Sequence, residues 1–174
     1  YQSFFVRLNY DFDGRYFFQF SIRRDGLSSL SKGNEYGNFF GGSLGWRISQ
    51  EKFWNSAGLN KFIDDMKLRG SYGEVGNELS ARFPYLSTYG AAPYGGASGL
   101  AANRIGNPSL RWETNKKIDF GFDMTFWKNR FNLSFDYFNN KNDDQVLDER
   151  QPPSFGIPGG IITKNIGTME NKGV

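Results

Sequence analysis

The chain contains no cysteine and no histidine. The first absence removes any disulfide framework and any thiolate-bound metal. The second removes the commonest imidazole ligand and general base, so most metal centres and nucleophile–base arrangements are excluded with it. No cofactor is expected. No apolar run approaches the ~18 residues from which a membrane-crossing helix is built. Neither sign of charge dominates, since 21 basic and 18 acidic residues leave a net +3. That balance is too mild to imply a nucleic-acid partner, and no basic cluster with RNA-type motifs accompanies it. Mean hydropathy is negative, which taken alone reads as a soluble domain. Aromatic residues are what the chain has in excess, at 18%.

Their placement follows a parity rule in six segments. From Phe4 to Phe12 the even positions are Phe4, Val6, Leu8, Tyr10 and Phe12, with Phe5, Arg7, Asn9 and Asp11 between them. Even positions are again apolar or glycine in 16–22, 40–48, 66–72 and 118–126. In 131–137 the odd positions carry Phe131, Leu133, Phe135 and Tyr137. Side chains on a strand alternate faces with period two, so each segment is a ribbon with one greasy and one wet face. The apolar parity comprises 27 positions and no charge, whereas the opposite parity, counted with the flanking residues Arg15, Arg23, Phe39, Gly73, Lys117 and Phe138, has 27 positions of which 11 are Lys, Arg or Asp. At the chain's 22% average, about six charges would fall on each face.

A soluble sandwich also alternates, with its apolar parity inside. A soluble β-sandwich carbohydrate-binding module is therefore the alternative reading. Three features favour a sheet whose outside meets lipid. The segments run about eight to ten residues, the length a tilted strand needs to cross a bilayer. Aromatic residues gather at the ends of the apolar parity. The connections alternate in length, with Asp13-Gly14 and Trp127–Arg130 short, Ser49–Asp65 of medium length, and Arg24–Asn38, Glu74–Glu113 and Asn139–Gly160 long. Short turns on one side and long loops on the other mark an outer-membrane barrel. An all-β antiparallel transmembrane barrel segment is expected, with Tyr10, Tyr16, Trp46, Trp127 and Phe131 as the girdle at the short-turn end. Tyr36, Phe39, Trp112 and Tyr137 are expected to form the other girdle. Lipid-facing positions are then Phe4, Val6, Leu8, Phe18, Phe20, Leu44, Phe120, Phe122, Leu133 and Phe135. Lumen-facing charges are Arg7, Arg23, Arg47, Lys67, Arg69, Asp119, Asp123 and Asp136. Six or seven strands cannot close without leaving open edges in lipid, so a longer wall is expected.

The local motifs make the reading specific. Arg23-Arg24-Asp25-Gly26 precedes Tyr36-Gly37 and Ser43-Leu44-Gly45-Trp46-Arg47-Ile48-Ser49. Lys67-Leu68-Arg69-Gly70-Ser71-Tyr72-Gly73 leads to Gly76-Asn77, and Asn107-Pro108, Leu110, Trp112 and Glu113 follow the long loop. Asp136-Tyr137-Phe138 comes next, and Asn165-Ile166-Gly167 and Met169-Glu170-Asn171 close the series. In this order the blocks resemble the C-terminal half of the barrel in the SusC/RagA family of TonB-dependent outer-membrane transporters. Departures at Leu27, Leu30, Gly70 and Glu78 fall in loops or at small positions.

The resemblance implies a roughly 22-stranded plugged barrel in the outer membrane of a Gram-negative, Bacteroidota-type bacterium. Residues 1–174 would be part of one barrel domain, with signal peptide, plug and energy-coupling segment lying N-terminal to them. It implies a SusD-like surface lipoprotein, the inner-membrane TonB complex and an oligosaccharide or peptide cargo as partners, and transport rather than catalysis. The charged lumen positions then make ion pairs and plug contacts, or line a substrate path. In the long loop, Phe83, Tyr85, Tyr89 and Tyr94 offer rings that suit sugar or peptide contact. Other motifs carry less. Gly73–Asn77 lacks the Lys-Ser/Thr ending of a phosphate loop. Asp11–Gly14 lacks the later ligands of a calcium loop. Asp143, Asp144, Asp148 and Glu149 could supply a glycosidase carboxylate pair but read as a solvated acidic loop. Asp64-Asp65 is expected to cap the connection in which 53–65 holds a short helix.

Overall fold

The computed structural model describes residues 1–78 and 82–174; three positions of the long loop, 79–81, lie outside the described residues. The described strands are β1 (Gln2–Phe12), β2 (Tyr16–Gly26), β3 (Tyr36–Arg47), β4 (Ile63–Asn77), β5 (Thr88–Ala91), β6 (Leu100–Arg104), β7 (Glu113–Phe126), β8 (Phe131–Arg150) and β9 (Ile161–Gly173). Seven of them form one antiparallel meander in the order β1-β2-β3-β4-β7-β8-β9. The pair β5–β6 stands apart as a small hairpin within the long loop. The β3–β4 connection holds the short helix α1 (Lys52–Ser56) between two single turns of 3₁₀ helix.

Register joins the six apolar parities into one surface. Tyr10, Phe18, Leu44, Gly70, Phe120 and Tyr137 are successive cross-strand partners. Phe12, Tyr16, Trp46, Leu68, Phe122 and Phe135 form the next row, and Met66, Met124 and Leu133 the one after. Because the side-chain period is two, a slip of one residue at any ladder would turn a whole strand's apolar set to the wrong face. Above the band the same parity turns polar. Arg24 pairs with Asn38, and Glu74, Lys116, Lys141 and Glu170 make a charged row.

The rows also give the tilt. Tyr16, at the base of the first hairpin, lies in the row of Phe135, while the second hairpin closes at Phe126 and Phe131. The offset is four residues over four strand-to-strand steps. With the two turns level, a ~3.3 Å rise and a ~4.8 Å strand spacing give a tilt of about 35°. Tilts of roughly 35–45° are those of barrel strands. At that tilt the nine residues Ile118–Phe126 span about 22 Å of height, close to the ~25 Å apolar band of such barrels.

Both short turns use left-handed backbone. Asp13 (φ 54°) and Gly14 (φ 62°) close the first, with the Gly14 N–H donating to Asp11 at 2.9 Å. In the second, Trp127, Lys128 and Asn129 all have φ near 60°, a strain of roughly 1–3 kcal/mol each for residues bearing a Cβ. Two hydrogen bonds from the neighbouring connection hold it: Trp127 N–H to Phe62 O at 3.1 Å and Asn129 N–H to Asp64 at 2.9 Å. Asp64 is the extra residue of a bulge at the foot of β4. The bulge returns Ile63 to the apolar face opposite Phe126.

Three expectations are corrected. The link read as Asn139–Gly160 is mostly strand, since β8 runs to Arg150 and pairs with β9 along it. Both faces of this extension stand beyond the band, so no alternation announced it. The link read as Arg24–Asn38 shrinks to 27–35. Phe39 and Trp112 are not girdle residues. They are 5% and 7% exposed and pack edge-to-face at 5.7 Å in a small core with Leu30 and Leu110, over the outer end of the polar face. The Phe39 ring covers Gly37 and Gly76, where an added Cβ would come within 2.5 and 2.1 Å of it. Gly76→Ala should therefore destabilise by the roughly 1–3 kcal/mol of an overpacked site. Gly73→Ala, three residues away with nothing within 4 Å, should change stability by less than about 0.5 kcal/mol. Thermal unfolding of the two variants in detergent checks the contrast.

Candidate functional site

The eight predicted charges Arg7, Arg23, Arg47, Lys67, Arg69, Asp119, Asp123 and Asp136 share the polar face. The ten apolar positions from Phe4 to Phe135 share the other. Arg69 is the hub of the charged set. Its Nε meets Asp123 at 2.7 Å and its Nη2 meets Asp136 at 3.0 Å, while Ser134 donates to Asp123 at 2.9 Å. Gly121 makes this possible, because a Cβ there would lie 2.3 Å from the Asp136 carboxylate. Arg47 pairs with Asp65 at 3.6 Å and Arg23 with buried Asp25 at 2.7 Å. Lys67 instead places its Nζ 4.3 Å from the centre of the Phe17 ring, over the space that Gly45 leaves open. Arg7 has no ion-pair partner among the described residues, and Asp119 accepts only a long 3.4 Å bond from Ser71.

A shallow depression of about 250 Å³ opens between these groups, lined by Phe17, Ser43, Lys67, Arg69, Asp119 and Asp136. Exposed ion pairs stabilise by only ~0–1 kcal/mol, so this network does little to hold the sheet together. What it does is fix both signs of charge in orientation on one wall. The opposite face has an apolar hollow of about 530 Å³ around Gly70, walled by Tyr10, Phe18, Leu44, Trp46, Leu68 and Phe120.

The four loop aromatics do not converge on one pocket. Phe83 and Tyr85 meet edge-to-face at 6.3 Å, Tyr89 sits on β5, and Tyr94 stands 90% exposed at the hairpin tip. Below them runs a clasp that sequence reasoning quoted only as a motif. Pro108 O accepts from Ser31 and from Asn34, and Trp112 Nε1 donates to Glu35 O at 3.1 Å. Asn107 Nδ2 reaches Thr163 O at 2.9 Å, and Asn165 exchanges hydrogen bonds with the Arg111 backbone. Asp144, left-handed at φ 59° in a bulge of β8, pairs with Arg111 at 2.6 Å. The four carboxylates expected in a solvated loop are thus each engaged on strands. Asp143 meets Lys116 and Lys141 at 3.0 Å, Asp148 accepts from Thr163, and Glu149 meets Lys164.

At the short-turn end the expected girdle forms a ladder. Tyr10, Phe12, Tyr16 and Trp46 follow one another at 6.4–6.5 Å, and Phe131 lies 5.8 Å from Trp127. Glu51, just beyond the Ser43–Ser49 motif, joins the β3–β4 connection to it. Its Oε1 accepts from Tyr16 OH at 2.6 Å and Trp46 Nε1 at 3.1 Å. The Asp64-Asp65 pair ties the same end, Asp64 to Asn129 and Asp65 to Ser49 and Arg47.

A tilted antiparallel meander with one uncharged face, a charged opposite face and aromatic ends is the wall of a transmembrane β-barrel. The family model described as TonB dependent receptor-like, beta-barrel matches residues 1–174, and the chain belongs to that family. It is 36% identical over 175 residues to TonB-dependent receptor P3 of Formosa agariphila, covering 98% of this chain and 17% of the relative. TonB-dependent receptor SusC of Bacteroides thetaiotaomicron is 32% identical over 180 residues, with 99% and 18% covered. The RagAB peptide importer in its open-open state superposes with TM-score 0.85 at 27% identity, covering 98% of this chain and 18% of that one. The chain therefore spans less than a fifth of the length of these relatives.

The hydrogen bonds from Tyr16 first, and then from Trp46, hold the Glu51 carboxyl below its ordinary pKa. A lowered folded pKa means the contribution is present above the ordinary carboxylate value and is lost as pH falls through the folded one. Acidification through the carboxylate range should thus lower the melting temperature more steeply for wild type than for Glu51→Gln.

Proposed function

We propose that this chain forms part of the wall and outer loops of an outer-membrane transporter that imports oligosaccharides or peptides under TonB energy coupling. The observation that carries the reading is the register that collects every apolar parity on one face. In this reading the ten residues from Phe4 to Phe135 look at lipid, and the hollow around Gly70 suits an acyl chain. The eight charges from Arg7 to Asp136 look at the lumen. Arg69, Arg47 and Arg23 are held in ion pairs, whereas Arg7, Lys67 and Asp119, without ion-pair partners among the described residues, are placed to meet a plug or passing cargo.

Residues 1–174 then belong to one barrel domain, with the plug and the segment that meets the inner-membrane TonB complex elsewhere in a longer protein. A SusD-like lipoprotein is the expected partner at the outer rim, where exposed Phe83, Tyr89 and Tyr94, with half-buried Tyr85, contact it or the cargo. Likeness to RagAB, a peptide importer, supports a peptide cargo, and the resemblance to the SusC group supports a glycan. Localisation follows as the outer membrane of a Bacteroidota-type bacterium.

Two measurements test this. The full-length protein should fractionate with the outer membrane, show heat-dependent gel mobility, and be required for uptake of a labelled glycan or peptide. A parent protein that is soluble and monomeric without detergent would end the reading. Leu44→Arg or Phe122→Arg should cost roughly 2–4 kcal/mol and impair assembly, while Ser43→Arg or Thr125→Arg should cost much less. Equal assembly defects from both pairs would reject the face assignment.

A further inference from the structure

We propose that the short-turn end of the wall is a headgroup-binding face, in which the β3–β4 connection and the β7–β8 turn together dock on anionic phospholipid of the leaflet beneath the band. The proposal rests on the barrel reading above. It starts from an imbalance in how charges at this end are used. Each acid is taken up internally: Asp11 by Gly14 N–H, Asp13 by Arg15, Glu51 by Tyr16 and Trp46, Asp64 by Asn129 N–H, and Asp65 by Ser49 and Arg47. Lys52, Lys61, Lys128 and Arg130 are exposed and have no ion-pair partner among the described residues.

Lys61, Lys128 and Arg130 are gathered rather than scattered, and Lys52 lies on α1 of the same connection. The Phe62–Trp127 and Asp64–Asn129 hydrogen bonds fasten Lys61-Phe62 beside Trp127-Lys128. The left-handed turn presents Lys128 and Arg130 on either side of Asn129. Both elements also belong to the apolar side of the sheet. The Trp127 ring lies 5.8 Å from that of Phe131, which the Phe126 pairing puts on the apolar face. Glu51, adjacent to Lys52, is bound to Tyr16 and Trp46 of the same face.

Exposed Phe62 and Trp127, 75% and 68% accessible, are interleaved with the basic residues. That mixture is what a membrane interface selects. Aromatic rings settle at headgroup depth, and the lysine stems reach past them to place the ammonium groups among phosphates. These cations, continuous with a lipid-contacting band, have charge complementary to phosphatidylglycerol, while exposed Asp64, whose partner is the Asn129 N–H, keeps its negative charge beside them. Each basic residue near an anionic bilayer adds roughly a fivefold preference.

The test uses full-length protein folded into phosphatidylcholine vesicles with and without phosphatidylglycerol, its unfolding temperature read by heat-dependent gel mobility. Wild type should melt higher with phosphatidylglycerol, and salt should erase the gain. The variant Lys52→Gln/Lys61→Gln/Lys128→Gln/Arg130→Gln should melt like wild type in pure phosphatidylcholine. Its apparent affinity for phosphatidylglycerol should fall more than tenfold. An undiminished gain in the variant, or none in wild type, overturns the proposal. So does inorganic phosphate reproducing the gain, which would make this an anion site rather than a membrane surface. A protein with no heat-modifiable band in any vesicle would sink the barrel reading and this proposal with it, whereas a band indifferent to phosphatidylglycerol sinks the proposal alone.

Discussion

Hydrocarbon offers nothing to a peptide N–H or C=O, so a strand that stands in it must find every backbone partner in the strands beside it. The rest of this structure depends on that requirement. The ladders from β1 to β8 run through the apolar band without interruption, apart from the single bulge at its foot around Asp64. With the backbone so committed, side chains are left only the choice between two faces. The bulge obeys the same logic, because the residue it inserts brings Ile63 back to the greasy side. The larger irregularities, at Asn142–Val146 of the β8–β9 ladder, fall above the band, where water can satisfy what the ladder drops.

Glycine and aromatic residues divide the remaining work. On the polar face Gly121 admits the Asp136 carboxylate to Arg69, and Gly45 leaves room for Lys67 over Phe17. Gly37 and Gly76 lie under the Phe39 ring, which shields their backbone at the outer end. Large rings on one strand thus lie over the missing side chains of another, and charged side chains can reach across the sheet between them.

Much of this was legible in the sequence, and the reason is physical. A face that tolerates no charge in any strand leaves a period-two signal that length and turn chemistry can locate, so the strands through the band, the short turns and the inner aromatic ladder were readable. The signal ends where the one-sided environment ends. Beyond Phe138, β8 has water on both faces, so Asn139–Arg150 looked like a loop although it is paired throughout most of its length. Phe39 and Trp112 looked like girdle residues because an aromatic ring near a strand end suits either lipid or a small core. Only the position of Leu30 and Leu110 decides between them. Glu51 stands beside a legible motif, but its contacts are not legible, since its partners lie on strands 35 and 5 residues away.

The clasp at Asn107–Glu113 has a consequence for how the outer loop can vary. It is fastened on one side to the β2–β3 link and on the other to β8 and β9. Asn77 and Glu113 also close the base of the loop as a strand pair. Arg104 donates to the carbonyls of Phe83 and Leu86, which closes a second ring inside the first. Chain ends held this firmly make the hairpin between them thermodynamically cheap to rebuild. Doubling the length of a flexible loop adds only about 0.6 kcal/mol of closure entropy. The wall can therefore keep its register while the hairpin above the clasp is lengthened, shortened or exchanged, and that makes this stretch a graft point between a fixed frame and a changeable surface.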